Sequence, residues 1–360
     1  MHSVLYKYLM KRLVYLLGVV FVSLGLGIAA CEPLAPTPNS QAVIVITNTP
    51  TAVVVSVTPL LSTPLPSPVT PTATFLASIS TARPTMTPTP TVLPSEGENN
   101  ADLPPCEATE GLSFDSAFES IIAGEPIRYR IYLPPCFYET GRRYPYVILL
   151  HGSSYNYTQW DEEVGIVDAL ESALQDKDNA IAPMVLIMPD GGVLQELNDY
   201  TNGPLWEQVI LTELIPYIES SFCVWNAPEG RAIGGISRGG FWAVSIGLRN
   251  PSLFTSIGGH SPAFFEDNAP PEYNPLALAD VVTTPLDVRI YLDIARSDVG
   301  VANFSRFVSI LSGRNIPHIA EVSPSGDHTD SYWASQVENY LRFYSEPWPT
   351  DPAALPSCFS

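Results

Sequence analysis

Lysine is nearly missing from this chain: Lys7, Lys11 and Lys177 are the only ones in 360 residues. With 17 Lys and Arg against 37 Asp and Glu, the formal charge at pH 7 is −20. A surface this acidic repels phosphate backbones, which excludes nucleic acid as a natural partner and favours solubility. Metal-binding spacings are missing too, because the cysteines form no CxxC pair and the histidines no HxxxH pattern, so no metal is expected. The first hundred residues also lack the mixed composition of a folded domain, which starts only near Cys106. What remains after that point, about 250 residues, is enough for one large single-core domain.

What is present begins with an export segment. Lys7, Lys11 and Arg12 precede the apolar run from Leu13 to Ala30, the layout of a signal peptide. The run ends in Gly27-Ile28-Ala29-Ala30-Cys31, which resembles the bacterial lipoprotein box, whose cysteine is lipidated and becomes the new N-terminus. The competing reading is an uncleaved anchor, since about 18 apolar residues could just span a bilayer. Both readings put the rest of the chain outside the cytoplasm, held at the membrane. Residues 32–105 carry runs such as Thr87-Pro88-Thr89-Pro90-Thr91. Proline withholds backbone donors and favours polyproline II, so a disordered, semi-rigid stalk is expected. The domain organisation is thus 1–31 leader with lipidation at Cys31, 32–105 linker, and 106–360 folded domain.

Beyond Cys31 four cysteines remain, Cys106, Cys136, Cys223 and Cys358. In an exported domain that number suggests two disulfides, with three connectivities open. Pairing Cys106 with Cys136 and Cys223 with Cys358 would tie both ends of the domain to its body, and this is the expectation.

Within the domain, short apolar runs alternate with helical patterns, the sign of βαβ units and a mostly parallel sheet flanked by helices. Strands are expected over 146–150, 184–188, 232–236, 288–294 and 319–322, after an antiparallel hairpin over 113–120 and 128–133. Helices are expected over 164–174, 239–250, 302–312 and 331–344. The stretch 206–222 carries a helical apolar stripe, yet Pro216 sits inside it and should kink it.

The chemistry centres on Gly235-Ile236-Ser237-Arg238-Gly239, a GxSxG pattern where a strand hands over to a helix. A serine there must occupy a strained turn that lifts its oxygen above the sheet, and glycines two residues to either side remove collisions. Ser237 is therefore the expected nucleophile. Its base must lie in a loop after a later strand. His328 follows the last strand, whereas His318 precedes it and His260 comes too early, near the pocket wall. The orienting acid is expected to be Asp298, in the loop after strand 288–294, rather than Asp293 within the strand or Asp327 beside the base. The oxyanion needs two donors, expected from the backbone N–H of Arg238 and of Ser153, with Ser154 the alternative to Ser153.

Tyr144 to Gly152, Met188-Pro189-Asp190-Gly191-Gly192, Gly234 to Gly240 and Gly326-Asp327-His328 occur in this order. Together with Arg130 to Pro135 they resemble the Putative esterase family, which includes esterase D-like enzymes, feruloyl esterases and mycolyltransferases, over about residues 111–345. The resemblance implies an α/β-hydrolase fold, a serine carboxylesterase with a Ser-His-Asp acyl-enzyme mechanism at Ser237, His328 and Asp298, and no cofactor. Arg238 stands where the family often has an apolar residue, so an unusually charged pocket rim is expected. The implied substrate is an ester, carbohydrate-borne esters among the candidates. The alternatives are an acyltransferase of the mycolyltransferase type and a non-catalytic binding lipoprotein on a hydrolase frame. Tyr155, Tyr157, Trp160, Trp206, Phe264 and Phe265 are the aromatics expected near the pocket.

Overall fold

A computed structural model describes residues 106–197, 200, 203, 205–265 and 269–359. The leader, Cys31 and the linker lie outside the described residues. Eight strands form one sheet in the order β1-β2-β4-β3-β5-β6-β7-β8. β1 (Leu112–Glu119) and β2 (Pro126–Leu133) pair as an antiparallel hairpin, Leu112 opposite Leu133 and Glu119 opposite Pro126. β2 runs antiparallel to β4 (Val185–Pro189). From there β3 (Tyr146–Leu150), β5 (Arg231–Ile236), β6 (Ser256–His260), β7 (Arg289–Ala295) and β8 (Ile319–Ser323) are parallel. This is the α/β-hydrolase fold.

Alternation along the strands divides the core between the two faces of the sheet. Ile148, Leu150, Ile187, Ile233, Ile257 and Leu292 face one apolar layer, while Val147, Leu149, Leu186, Met188 and Ala232 face the other. The first face is covered by α4 (Leu205–Gln208), α5 (Ile215–Ser221), α6 (Arg238–Arg249), α7 (Pro275–Val281) and α8 (Val301–Gly313). The second packs on α1 (Gln159–Glu162), α2 (Ile166–Gln175) and α9 (Asp330–Ser345). A short α3 (Gly192–Glu196) follows β4.

Two departures from the sequence reading have physical causes. β6 is a central strand that no apolar run announced. Its sequence, Ser-Ile-Gly-Gly-His, holds one large aliphatic, and side chains on Gly234 or Gly258 would overlap the Tyr344 hydroxyl, which fills the space instead. The expected kink at Pro216 is a change of helix type. Between α4 and α5 the chain is a π-helix over Val209–Leu214, and Pro216 falls in the first turn of the new α-helix. Widening the preceding turns accommodates a residue that lacks an N–H and crowds the carbonyl four positions back.

The two disulfides are Cys106–Cys136 and Cys223–Cys358, with Cα atoms 5.7 and 5.8 Å apart. The second fastens the C-terminal tail beside Gly141–Arg143: Cys358 N–H donates to Gly141 O at 2.9 Å and Arg143 Nε to Ser357 O at 3.1 Å. Among the described residues no helix is long and apolar enough to cross a membrane.

Candidate active site

The turn from β5 into α6 holds Ser237 at φ 53°, ψ −113°, a backbone state that a non-glycine residue adopts only when its surroundings enforce it. Its N–H donates to His260 O and its carbonyl accepts from Phe241 and Ala263 N–H, so both sides of the turn are tied. A side chain at Gly235 would overlap the backbone of Gly239, and one at Gly239 would overlap the Leu150 carbonyl. Those two glycines let the turn close against the end of β3.

His328 arrives from the loop between β8 and α9. Its Nε2 stands 2.9 Å from Ser237 Oγ and its Nδ1 2.6 Å from Asp298 Oδ2. Asp298 sits in the loop after β7 with its side chain buried, and its Oδ1 accepts the Gly300 N–H at 2.8 Å. Burial works to raise this carboxyl, but hydrogen bonds from His328 and Gly300 outweigh it and hold it below the ordinary carboxylate value. An ionised Asp298 fixes the proton on Nδ1 and leaves Nε2 bare toward the serine hydroxyl.

Asp293 and His260 meet each other instead. His260 is fully buried at the end of β6, not on a pocket wall, with Nδ1 2.8 Å from Asp293 Oδ1 and Nε2 2.9 Å from the Tyr344 hydroxyl. Asp293 Oδ2 accepts the hydroxyls of Tyr332 and Tyr340 at 2.8 and 2.9 Å. Burial first, then the Asp293 charge, pushes both those hydroxyls and that of Tyr344 above the usual tyrosine value, so all stay protonated. His318 stands before β8, its Nδ1 2.8 Å from Ile316 O, at the opposite end of that strand from His328.

The loop after β3 runs beside the serine, with the space next to Gly152 opening on Ser237 Cβ. Among the described residues neither the Arg238 nor the Ser153 backbone N–H has a protein acceptor, whereas Ser154 N–H donates to Glu196 Oε1 at 3.1 Å. Ser154 is thus engaged, and Arg238 and Ser153 retain free donors. The Arg238 side chain does not charge the rim. It is buried, donates from Nε to Gln195 O at 3.0 Å, and lies over Phe241 and Trp242 with its Cζ 4.7 and 5.5 Å from the ring centroids. Desolvation draws its guanidinium below the ordinary value. A long aliphatic stem and a planar head let arginine fill this aromatic niche.

Of the expected pocket aromatics, Trp160, Trp206 and Phe264 are core residues, while Tyr155 and Phe265 are 42% and 37% exposed. Several residues of the site carried no clear signal in the chain. His151 is buried, takes the Gly191 N–H on Nε2 at 2.9 Å, and so donates from Nδ1 to Gly152 O at 2.8 Å. Gln195 Nε2 donates to His151 O at 2.7 Å, joining α3 to the same loop. Gln159 and Asp330, 171 positions apart, are in direct contact. His151 was visible only as part of a motif, and the two glutamines and Asp330 have no spacing that would mark them.

A serine raised on a strand-to-helix turn, with histidine and aspartate from the loops after β8 and β7, defines a hydrolase-type site on an α/β-hydrolase frame. The chain belongs to the Putative esterase family, whose model matches residues 120–344. An esterase of Mycobacterium tuberculosis is 30% identical over 135 residues, 36% of this chain and 28% of its own length. An endo-1,4-beta-xylanase/feruloyl esterase of Xylanibacter ruminicola is 30% identical over 119 residues, 31% of this chain and 16% of that protein. The match therefore spans less than a third of these curated relatives. Among solved structures, a ferulic acid esterase superposes with a TM-score of 0.60 at 20% identity, covering 67% of this chain and 99% of its own. The S-formylglutathione hydrolase of Staphylococcus aureus does so at 0.57 and 19%, covering 66% and 99%.

Proposed function

We propose that the protein is a serine carboxylesterase that works through an acyl-enzyme, with Ser237 as nucleophile, His328 as base and Asp298 as the orienting acid. The observation that carries this reading is the unbroken chain from Asp298 Oδ2 to His328 at 2.6 Å and from His328 to Ser237 Oγ at 2.9 Å. His328 Nε2 takes the hydroxyl proton as Oγ bonds to the ester carbonyl carbon. The oxyanion that forms is held by the N–H groups of Arg238 and Ser153. Collapse breaks the bond to the alcohol, which leaves with the proton from Nε2. Water, deprotonated by the same Nε2, then releases the acid and restores Ser237.

The substrate is an ester, and the match to a xylanase-linked feruloyl esterase favours carbohydrate-borne esters. The two disulfides fit an oxidising compartment. With the leader 1–31, this supports an extracytoplasmic enzyme of residues 106–360, tethered by lipid on Cys31 through the linker 32–105. Mass spectrometry of the mature N-terminus tests the tether, and an unmodified Cys31 inside an intact leader would refute it.

The test of the chemistry is hydrolysis of short p-nitrophenyl esters with a fluorophosphonate label. Ser237→Ala and His328→Ala should each lower kcat by about 10⁴-fold or more, and Ser237→Ala should lose labelling. Wild-type turnover in either variant would sink the triad. Feeding water and a sugar acceptor together separates hydrolysis from acyl transfer, with free acid expected as the main product.

A further inference from the structure

Gln159 bridges the two loops that the proposed chemistry needs, although it touches none of the three proposed catalytic side chains. It opens α1 and is 1% exposed. Its Oε1 accepts the Gly152 N–H at 2.7 Å, and its Nε2 donates to Asp330 Oδ1 at 2.8 Å. Asp330 is the first residue of α9, two positions after His328, and its Oδ2 accepts the Tyr155 hydroxyl. The amide of Gln159 therefore has one end on the loop after β3 and the other on the loop that carries His328.

The peptide between Gly152 and Ser153 is constrained from the other direction. Its carbonyl, Gly152 O, accepts His151 Nδ1 at 2.8 Å and Tyr155 N–H at 3.3 Å. In a trans peptide the N–H points opposite to the carbonyl. Anchoring Gly152 O toward His151 and Tyr155 therefore turns the Ser153 N–H the opposite way. The Gly152 N–H, held by Gln159, fixes the preceding peptide plane, so neither soft dihedral of Gly152 is free. Glycine would otherwise be the most mobile position in this loop.

We infer that Gln159, braced by Asp330 and Tyr155, is a positioning residue that sets the Ser153 donor of the oxyanion hole in register with His328. This inference rests on the serine-esterase reading. An oxyanion donor helps only when it already points at the charge that develops, so a loop released by about 1 Å loses rate without losing substrate affinity. Asp330 suits the brace because a carboxylate at a helix N-terminus is stabilised where it stands and can accept two donors at once.

The experiment compares wild type with Gln159→Leu, Asp330→Ala and Tyr155→Phe, using p-nitrophenyl acetate and its thionoester analogue, in which sulfur replaces the carbonyl oxygen. Sulfur accepts hydrogen bonds poorly, so the ratio of ester to thionoester turnover reports the oxyanion donors. Gln159→Leu should lower kcat by about tenfold or more with KM within about twofold, and the oxygen preference should shrink in parallel. Asp330→Ala should move both in the same direction by about threefold to tenfold, and Tyr155→Phe by less. If Gln159→Leu fails to fold, Asp330→Ala decides, because that side chain is only half-buried. Folded variants with unchanged kcat and unchanged oxygen preference would overturn the inference, and so would a rise in KM alone. Ser237→Ala is the control. If it keeps wild-type turnover, the esterase reading itself fails, whereas a dead Ser237→Ala beside silent Gln159 and Asp330 variants rejects only the positioning role.

Discussion

His260 Nδ1 lies 2.8 Å from Asp293 Oδ1, so the domain holds a second histidine–aspartate pair beside His328 and Asp298, and it faces Tyr344 instead of Ser237. Both pairs grow from β7 and its following loop, separated by five positions in the chain, Asp293 and Asp298. The inner pair joins β6, β7 and α9 in a fully buried polar network. The outer pair reaches Ser237 Oγ.

Substituting the two acids should therefore have opposite signatures. Asp298→Asn should cut kcat by up to about 10⁴-fold, because the amide favours the wrong imidazole tautomer, with a modest change in stability. Asp293→Asn should cost about 3 kcal/mol or more, since an amide has one acceptor oxygen and must leave either buried His260 or the two buried tyrosine hydroxyls without theirs. Urea unfolding midpoints and ester kinetics on the same preparations distinguish these outcomes. A catalytic collapse at Asp293 with normal stability would reverse the assignment.

Asp298 also predicts an acid dependence of folding. Against the opposing effect of burial, hydrogen bonds from His328 and Gly300 hold its folded-state value below the ordinary carboxylate value. Its contribution is therefore complete above the unfolded value of about 4 and is lost as pH falls through the folded value. The stability gap between wild type and Asp298→Asn should be constant above about pH 5 and change as pH falls below about 4, wild type losing the more. A gap that stays constant down to about pH 2 would show that the carboxylate gains nothing on folding.

The Cys223–Cys358 bridge joins positions 135 apart. Replacing both cysteines by alanine should cost about 2–5 kcal/mol, chiefly by freeing the unfolded chain. Calorimetric or urea midpoints under non-reducing conditions measure this. Because the bridge anchors the tail beside Arg143, at the end of β3 opposite the Gly152 loop and the serine turn, KM should hardly move. An unchanged midpoint would mean that the tail's hydrogen bonds to Gly141 and Arg143 suffice.

Arg238 offers a test of burial against charge. Its guanidinium is packed on Phe241 and Trp242, so Arg238→Met should lower stability by about 1–2 kcal/mol through lost stacking and the lost bond to Gln195 O. The preference between neutral and anionic esters should not change. A marked shift of that preference would place the charge in contact with substrate after all.

The serine turn was legible because everything that makes it lies within six residues: a strand, two glycines that remove overlaps, and a helix start. The hairpin, most strands and the α/β class were legible for the same local reason, in hydrophobic periodicity. β6 was not, because glycine at two of its five positions breaks up the apolar run, and neighbours such as Tyr344 and Leu292 supply the packing there. The Pro216 misfit was visible in the sequence, but its resolution as a π-helical turn depends on how that helix seats on the sheet.

By itself the sequence determined the fold class, the serine turn and a short roster of acids and histidines in the right chain order. Only the tertiary structure decided which acid meets which histidine, that Arg238 turns inward, and that Gln159 links the Gly152 loop to Asp330. These are contacts across tens to hundreds of residues, and local propensity says nothing of them. They arise when parallel strands bring distant loops together at their carboxyl ends, where a displacement of one side chain decides which partners a buried polar group finds.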